Sequence, residues 1–213
     1  MLVHLRRSLI MAVLCLVFFG FVYGLAGTGV AQALFSHQAD GSITANGSTL
    51  IGQNWSQVRC PGHPIGSCVF HGRPDDTGPY AANPKATPAV AGGDNPLEAN
   101  GNPGESGATN LGPRSQTLLN NTMELVQYWK KLGVPNPTPD LVTNSGSGYD
   151  PDITRADALV QVSMVSKATG VSQAALRSLV SQQTNSAELG FLGSSYIVVL
   201  QLNEGLAQLE HRR

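Results

Sequence analysis

The apolar residues of this chain are concentrated near its start. From Leu9 to Val30 the sequence reads LIMAVLCLVFFGFVYGLAGTGV without a charge. A run of that length makes about 33 Å of helix, enough to cross the hydrocarbon core of a bilayer. Arg6 and Arg7 precede it, and no charged residue follows until Asp40. Basic residues stay on the cytoplasmic side, so this asymmetry predicts residues 1–8 in the cytoplasm, a transmembrane helix over 9–31, and residues 32–213 outside. A cleaved signal peptide is the competing reading, because Ala31-Gln32-Ala33 has the small-x-small form that precedes a cleavage point. Signal cores run to about 7–15 apolar residues, and the greater length here favours a retained anchor. Gly20 and Gly24 form a GxxxG pair that would let a second helix approach, although glycine is also simply common in membrane helices.

Beyond the anchor the patterns are shorter. Residues 41–53 (GSITANGSTLIGQ) mix small, polar and β-branched types around Asn46-Gly47, which predicts a hairpin. Residues 81–105 carry Pro84, Pro88, Pro96 and Pro103 among Gly, Ala and Asn, and are expected to be a long disordered loop insert. From Ser115 to Leu132, Leu118, Leu119, Met123, Val126, Trp129 and Leu132 recur near helical spacing, with Gly133 and Pro135 as stop signals. This predicts a helix with that stripe in the core. Thr154, with Asp157 three residues on, caps a second helix through Ala158, Val162, Val165 and Ala168 to Gly170. Ser172 opens a third helix through Val180, Tyr196–Leu200 reads as a buried strand, and Leu202–Leu209 as a last helix. The expected fold class is α+β: a single N-terminal transmembrane helix followed by one small extracytoplasmic α+β domain with a long loop insert.

Composition narrows the function. With 213 residues the chain has room for one domain of ordinary size after its anchor. Net charge is -1 and only 13% of residues are charged, so the chain lacks the basic field that nucleic acid or polybasic lipid binding needs. Gly (24) and Pro (13) are frequent and aromatics are 6%, which implies much loop, a modest core and reliance on partners.

Three cysteines are present. Cys15 lies in the span as a small apolar residue. Cys60 and Cys68 bracket CPGHPIGSC, where an oxidising compartment would favour a disulfide closing a short ring. Zinc is the alternative, since His63 and His71 fall near both thiols, but the spacing matches no standard zinc module.

Several chemistries lack their residues. There is no GxxxxGK[ST], and Lys85, Lys130, Lys131 and Lys167 follow no glycine-rich turn of that kind. The Asp-Lys-Thr-Gly signature of P-type pumps is absent. Ser145-Gly146-Ser147-Gly148 lacks the spacing of a nucleophile elbow. Asp150, Asp152, Thr154 and Asp157 do not complete a calcium loop, whose sixth and twelfth positions are here Arg155 and Gln161; a capped helix start accounts for them better.

Residues Asp140 to Thr154, DLVTNSGSGYDPDIT, resemble the DLVTxSxSGLDPxIS block of the C subunit family of Kdp potassium-transporting ATPases (KdpC). Other blocks follow in that family's order: FSHQADGS (35–42), GSTLIGQ (47–53), FHGRP (70–74), SGATNLGP (106–113), Gln161-Val162 and YIVVLQLN (196–203). Tyr149, Asp152, Met164, Arg114-Ser115 and Gly24 depart from the family pattern, which loosens the transfer of individual residue roles.

The resemblance implies a non-catalytic accessory subunit of a high-affinity ATP-driven potassium uptake complex. Its partners would be a channel-like potassium subunit and a P-type ATPase subunit, with membrane lipid around the anchor. It also implies a catalytic chaperone that raises the ATP affinity of the pump subunit, with nucleotide contacts through Ser145, Gly146, Ser147, Gly148, Asp150 and Gln161. ATP enters on the resemblance alone, and no covalent cofactor or metal is implied. Nucleotide is cytoplasmic, however, while the charge asymmetry puts residues 145–161 outside, so an effect on ATP would travel more naturally through the anchor and subunit packing. Asp140, Asp150 and Asp152 could enrich cations over a channel mouth within about 8–10 Å, or only cap turns. The alternative from another class is an extracytoplasmic binding module or secreted enzyme released by cleavage after Ala33.

Overall fold

The computed structural model describes residues 2–53, 55–56, 58–74 and 108–211, so the expected insert at 81–105 lies outside the described residues. The chain divides into two compact units, Met1–Ile43 and Thr44–Arg213.

The first unit is a helix over Leu2–Ala39, which is 38 residues long. It comprises α1 (Leu2–Val17), a π-helical stretch (Phe18–Val22) and α2 (Tyr23–Ala39). None of its residues is buried within the chain. In water so apolar a surface would be unstable, and in lipid it needs no cover. The Thr28 hydroxyl donates to the Gly24 carbonyl at 3.0 Å and so needs no water inside a bilayer. Phe35 leaves helical geometry (φ -139°, ψ 39°), and the end is closed by Ser42 N–H on the His37 carbonyl at 2.8 Å. The helix continues unbroken past Ala31 to Ala33.

The second unit is mainly helical with little strand. Two-residue strands β1 (Ile43–Thr44) and β2 (Gly47–Ser48) pair across Ala45-Asn46, one residue ahead of the predicted turn pair. Helix α3 (Gln116–Leu132) starts where Ser115 Oγ accepts from Leu118 N–H. It stops at Gly133, whose φ of 95° a side chain would strain. Its buried face is Asn121, Leu125 and Trp129, flanked by Leu118, Thr122, Val126 and Leu132. Leu119 and Met123 are exposed, which corrects the predicted stripe. Trp129 fixes the rotation of the helix, because its ring is fully buried and its Nε1–H donates to the Leu141 carbonyl at 2.8 Å.

Helix α4 (Arg155–Thr169) opens on a capping box in which Thr154 Oγ1 accepts from Asp157 N–H and the Asp157 carboxylate accepts from Thr154 N–H. Asp157, Ala158, Gln161, Val162, Met164 and Val165 are buried, so this is the central helix of the domain. Helix α5 (Gln173–Gln182) begins at Ser172 and buries Leu176, Leu179 and Val180.

The predicted strand Tyr196–Leu200 is largely overturned. Only β4 (Ile197–Val198) pairs antiparallel with β3 (Asp152–Ile153), in the register Asp152 to Val198 and Ile153 to Ile197. Helix α6 (Val199–His211) begins at once, three residues before the predicted start. The ladder cannot extend, because Pro151 precedes β3 and Thr154 has already begun α4. Val199 N–H turns to the Pro151 carbonyl at 3.0 Å. Val199, Leu202, Asn203 and Leu206 then recur at helical spacing and are all buried. The core joins these elements through Phe70, Trp129, Leu141, Leu176, Ile197, Leu202 and Leu206.

Candidate functional site

The segment Phe70–Pro74 belongs to no helix or strand, and three side chains from elsewhere, those of Asn203, Gln161 and Asn144, hold its backbone. Asn203 on α6 accepts the Phe70 N–H at 2.8 Å and donates to the Phe70 carbonyl at 2.9 Å. Gln161 on α4 does the same for His71, accepting its N–H at 2.8 Å and donating to its carbonyl at 3.1 Å. These two carboxamides replace a neighbouring strand, so the buried backbone of Phe70 and His71 is satisfied without a sheet. The Gln161 amide also donates to the Asp157 carbonyl at 3.1 Å, and the residue is fully buried.

His71 is buried against Trp129, ring edge to ring face with centroids 5.4 Å apart. Its Nε2 lies 2.6 Å from the Gly66 carbonyl, which can only accept, so Nε2 carries the proton and Nδ1 is bare. Burial lowers the imidazole pKa to about 4, against the smaller opposing pull of the Gly66 carbonyl. Gly66 belongs to the ring closed by Cys60 and Cys68, whose sulfurs are bonded to each other with Cα atoms 5.6 Å apart. The sulfurs are therefore not thiolates, and His71 Nε2 is turned to a carbonyl. Among the described residues no group of three His, Cys, Asp or Glu could hold a metal.

Arg73 reaches the other half of the site. Its guanidinium donates to the Asn144 carbonyl at 2.8 Å and lies 3.5 Å from Thr143 Oγ1. Asp140 and Asp150 stand farther off, at 3.8 and 4.0 Å. Partly exposed pairs at such distances contribute about 0–1 kcal/mol, so the short bond to Asn144 does more to position the loop. Asn144 returns a bond to the Pro74 carbonyl at 3.3 Å.

From Ser145 to Tyr149 the chain is bonded to itself. Ser145 Oγ accepts from Gly148 N–H at 2.9 Å, Ser147 Oγ accepts from Tyr149 N–H at 3.2 Å, and the two hydroxyls are 3.3 Å apart. Gly148 has φ 74°. The end of this loop runs close to Gly52: Gly52 N–H donates to the Tyr149 carbonyl at 2.8 Å, and a Cβ on Gly52 would come within 2.7 Å of the Asp150 carbonyl. Asp150 Oδ1 accepts from Asp152 N–H at 3.1 Å. Burial, helped by the neighbouring charge of Asp150, raises the Asp152 carboxyl to about 6. Asp152 Oδ1 has no hydrogen-bond partner among the described residues.

Of the residues expected to contact nucleotide, Ser145, Gly146, Ser147 and Gly148 form one self-bonded turn and Asp150 follows it, 4.0 Å from Arg73, whereas Gln161 is enclosed behind His71. Asp157, weighed above as a possible cation ligand, serves its helix and accepts from the Thr138 hydroxyl. Sequence reading missed the roles of Arg73, His71 and Asn203. Each lies in a block that had been singled out (70–74 or 196–203), but partners 90 and 133 residues apart leave no periodic trace.

Comparison with known proteins gives a consistent result. The model of the family described as K+-transporting ATPase, c chain (KdpC) matches residues 5–208. A potassium-transporting ATPase KdpC subunit of Methylorubrum extorquens is 38% identical, with all of both chains covered. One from Rhodopseudomonas palustris (strain TIE-1) is 37% identical over 97% of each chain. One from Bacillus anthracis is 36% identical, covering 96% of this chain and 93% of its own.

Proposed function

Since the chain belongs to the KdpC family of K+-transporting ATPase c chains, we propose that it is a single-pass subunit with residues 1–8 in the cytoplasm, 9–31 in the membrane and 32–213 on the extracytoplasmic face. The subunit is accessory and is not the catalytic unit of the pump. One observation supports the topology: the apolar stretch Leu9–Val30, none of it buried, has Arg6 and Arg7 before it and no charge after it until Asp40. The family match reaches back to residue 5, so the apolar helix is part of what these proteins share. That favours a retained anchor over release after Ala33. Its neighbours in the assembly are a channel-like potassium subunit and the P-type ATPase subunit.

In this reading the chain raises the ATP affinity of the pump subunit through its anchor and its packing, without touching nucleotide. Support comes from the commitment of the Gly148 and Tyr149 N–H groups to serine hydroxyls and from the enclosure of Gln161. An outside domain could not reach cytoplasmic ATP in any case.

Alkaline phosphatase fused after Arg213 should be active, and green fluorescent protein at the same point dark. The reverse pattern sinks the topology. In the assembled complex a photoreactive ATP analogue should label the pump subunit and leave residues 145–161 unlabelled; labelling there would restore direct contact.

A further inference from the structure

The loop between α5 and β4 displays three large apolar side chains that nothing among the described residues covers. Glu188 and Leu192 exchange both backbone hydrogen bonds, at 3.0 and 2.9 Å, and Phe191 N–H also reaches the Glu188 carbonyl at 3.2 Å. Behind them Asn185 and Tyr196 exchange theirs at 2.8 and 3.1 Å. The loop is therefore a short projection of fixed shape. At its tip Leu189, Phe191 and Leu192 are 81%, 75% and 51% exposed. Single exposed apolar residues are ordinary, but three together on a held turn are not.

Leu189 adds an independent sign. Its φ is 52°, in the left-handed region where glycine or asparagine sits easily and leucine does not. The loop tolerates a strained backbone in order to present an apolar side chain.

We propose that this tip docks into an apolar cleft on the extracytoplasmic side of a membrane-embedded partner subunit of the ATPase, an inference that rests on the subunit reading above. The alternative occupant, the bilayer surface, is disfavoured by charge. Anionic headgroups select basic flanks, yet no Lys or Arg lies between Arg177 and Arg212, and the charge at the turn is Glu188. A preset shape also favours a protein cleft, because the ordering that docking requires has already taken place; a fluid lipid surface rewards no particular shape. Phe is among the residue types enriched at interface centres, where charge is depleted.

The test places a photoreactive phenylalanine analogue at position 191 of the full chain and purifies the complex through a tag on the pump subunit. Co-purification of the unmodified chain is scored first, and its failure overturns the subunit reading itself. Given co-purification, an adduct identified by mass spectrometry as another subunit of the same ATPase supports docking. An adduct with lipid or with a second copy, or no adduct, overturns it. Leu189→Asn separates docking from folding, because asparagine accepts the left-handed backbone. Its unfolding midpoint in detergent should match or exceed the parent's, while its loss from the complex on washing becomes at least about tenfold faster, roughly the effect of one buried leucine contact. Retention equal to the parent, for this variant and for Phe191→Ser, overturns the proposal.

Discussion

One carboxamide, that of Gln161, closes both backbone hydrogen bonds of His71, at 2.8 and 3.1 Å. Truncation should therefore act on stability. Gln161→Leu leaves a buried N–H and a buried carbonyl without partners, each costing about 1–3 kcal/mol, so a loss of about 3 kcal/mol is expected in denaturant unfolding of the detergent-solubilised chain. Unchanged stability would mean that the side chain is held in reserve for a ligand.

His71 makes stability depend on pH. The folded imidazole titrates near 4 and the unfolded one near 6.5, so between those values the unfolded chain binds more protons. Stability is complete above about pH 6.5, falls as the pH drops toward 4, and levels off below. For a fully buried ring the loss is about 3 kcal/mol. Unfolding midpoints measured from pH 7.5 to 4 should show that fall, and His71→Gln should flatten it.

Asp152 acts in the opposite direction. Its folded carboxyl keeps its proton up to about pH 6, while an unfolded one loses it near 3.8, so this residue's contribution falls as the pH rises between the two. Asp152→Asn should raise the unfolding midpoint at pH 7.5 and leave it unchanged at pH 3.5. Because the group is partly solvated, the gain should be smaller than the His71 effect. A lower midpoint at pH 7.5 would mean that the ionised form has a partner of its own.

The ring between Cys60 and Cys68, at a sequence separation of 8, carries the Gly66 carbonyl on which His71 rests. Opening a ring of this size frees unfolded-chain entropy equivalent to about 2.5 kcal/mol. Cys60→Ser with Cys68→Ser should lower stability by about that amount. The loss should shrink when His71→Gln is already present, because both changes act on one contact. Strict additivity would show that ring and imidazole are independent.

Local signals in the sequence proved dependable wherever one residue's chemistry sufficed. Ser115, Thr154 and Ser172 cap the three helices they were expected to open, and Gly133 and Gly170 close two of them. The errors fell where packing arbitrates between patterns. Leu119 and Met123 fit the helical period as well as Leu125 does, but the burial of Trp129 beneath Leu141 chose the other rotation. The Tyr196–Leu200 run has strand composition, yet a partner strand of two residues left Val199 and Leu200 to the helix. The expected site was half legible: its serine and glycine turn stood out as a block, while the clamps on Phe70 and His71 did not.

By itself the sequence determined an apolar span with its basic flank, the helix ends, and the order of blocks that places the chain in its family, because each depends on neighbours within a few turns. Tertiary structure alone decided that Gln161 and Asn203 stand in for a missing strand, that Arg73 holds the Asn144 loop more than it pairs with aspartates, and that Leu189, Phe191 and Leu192 are left uncovered. These outcomes depend on which distant groups meet, and hydrogen bonds across 90 and 133 residues follow from how the core packs.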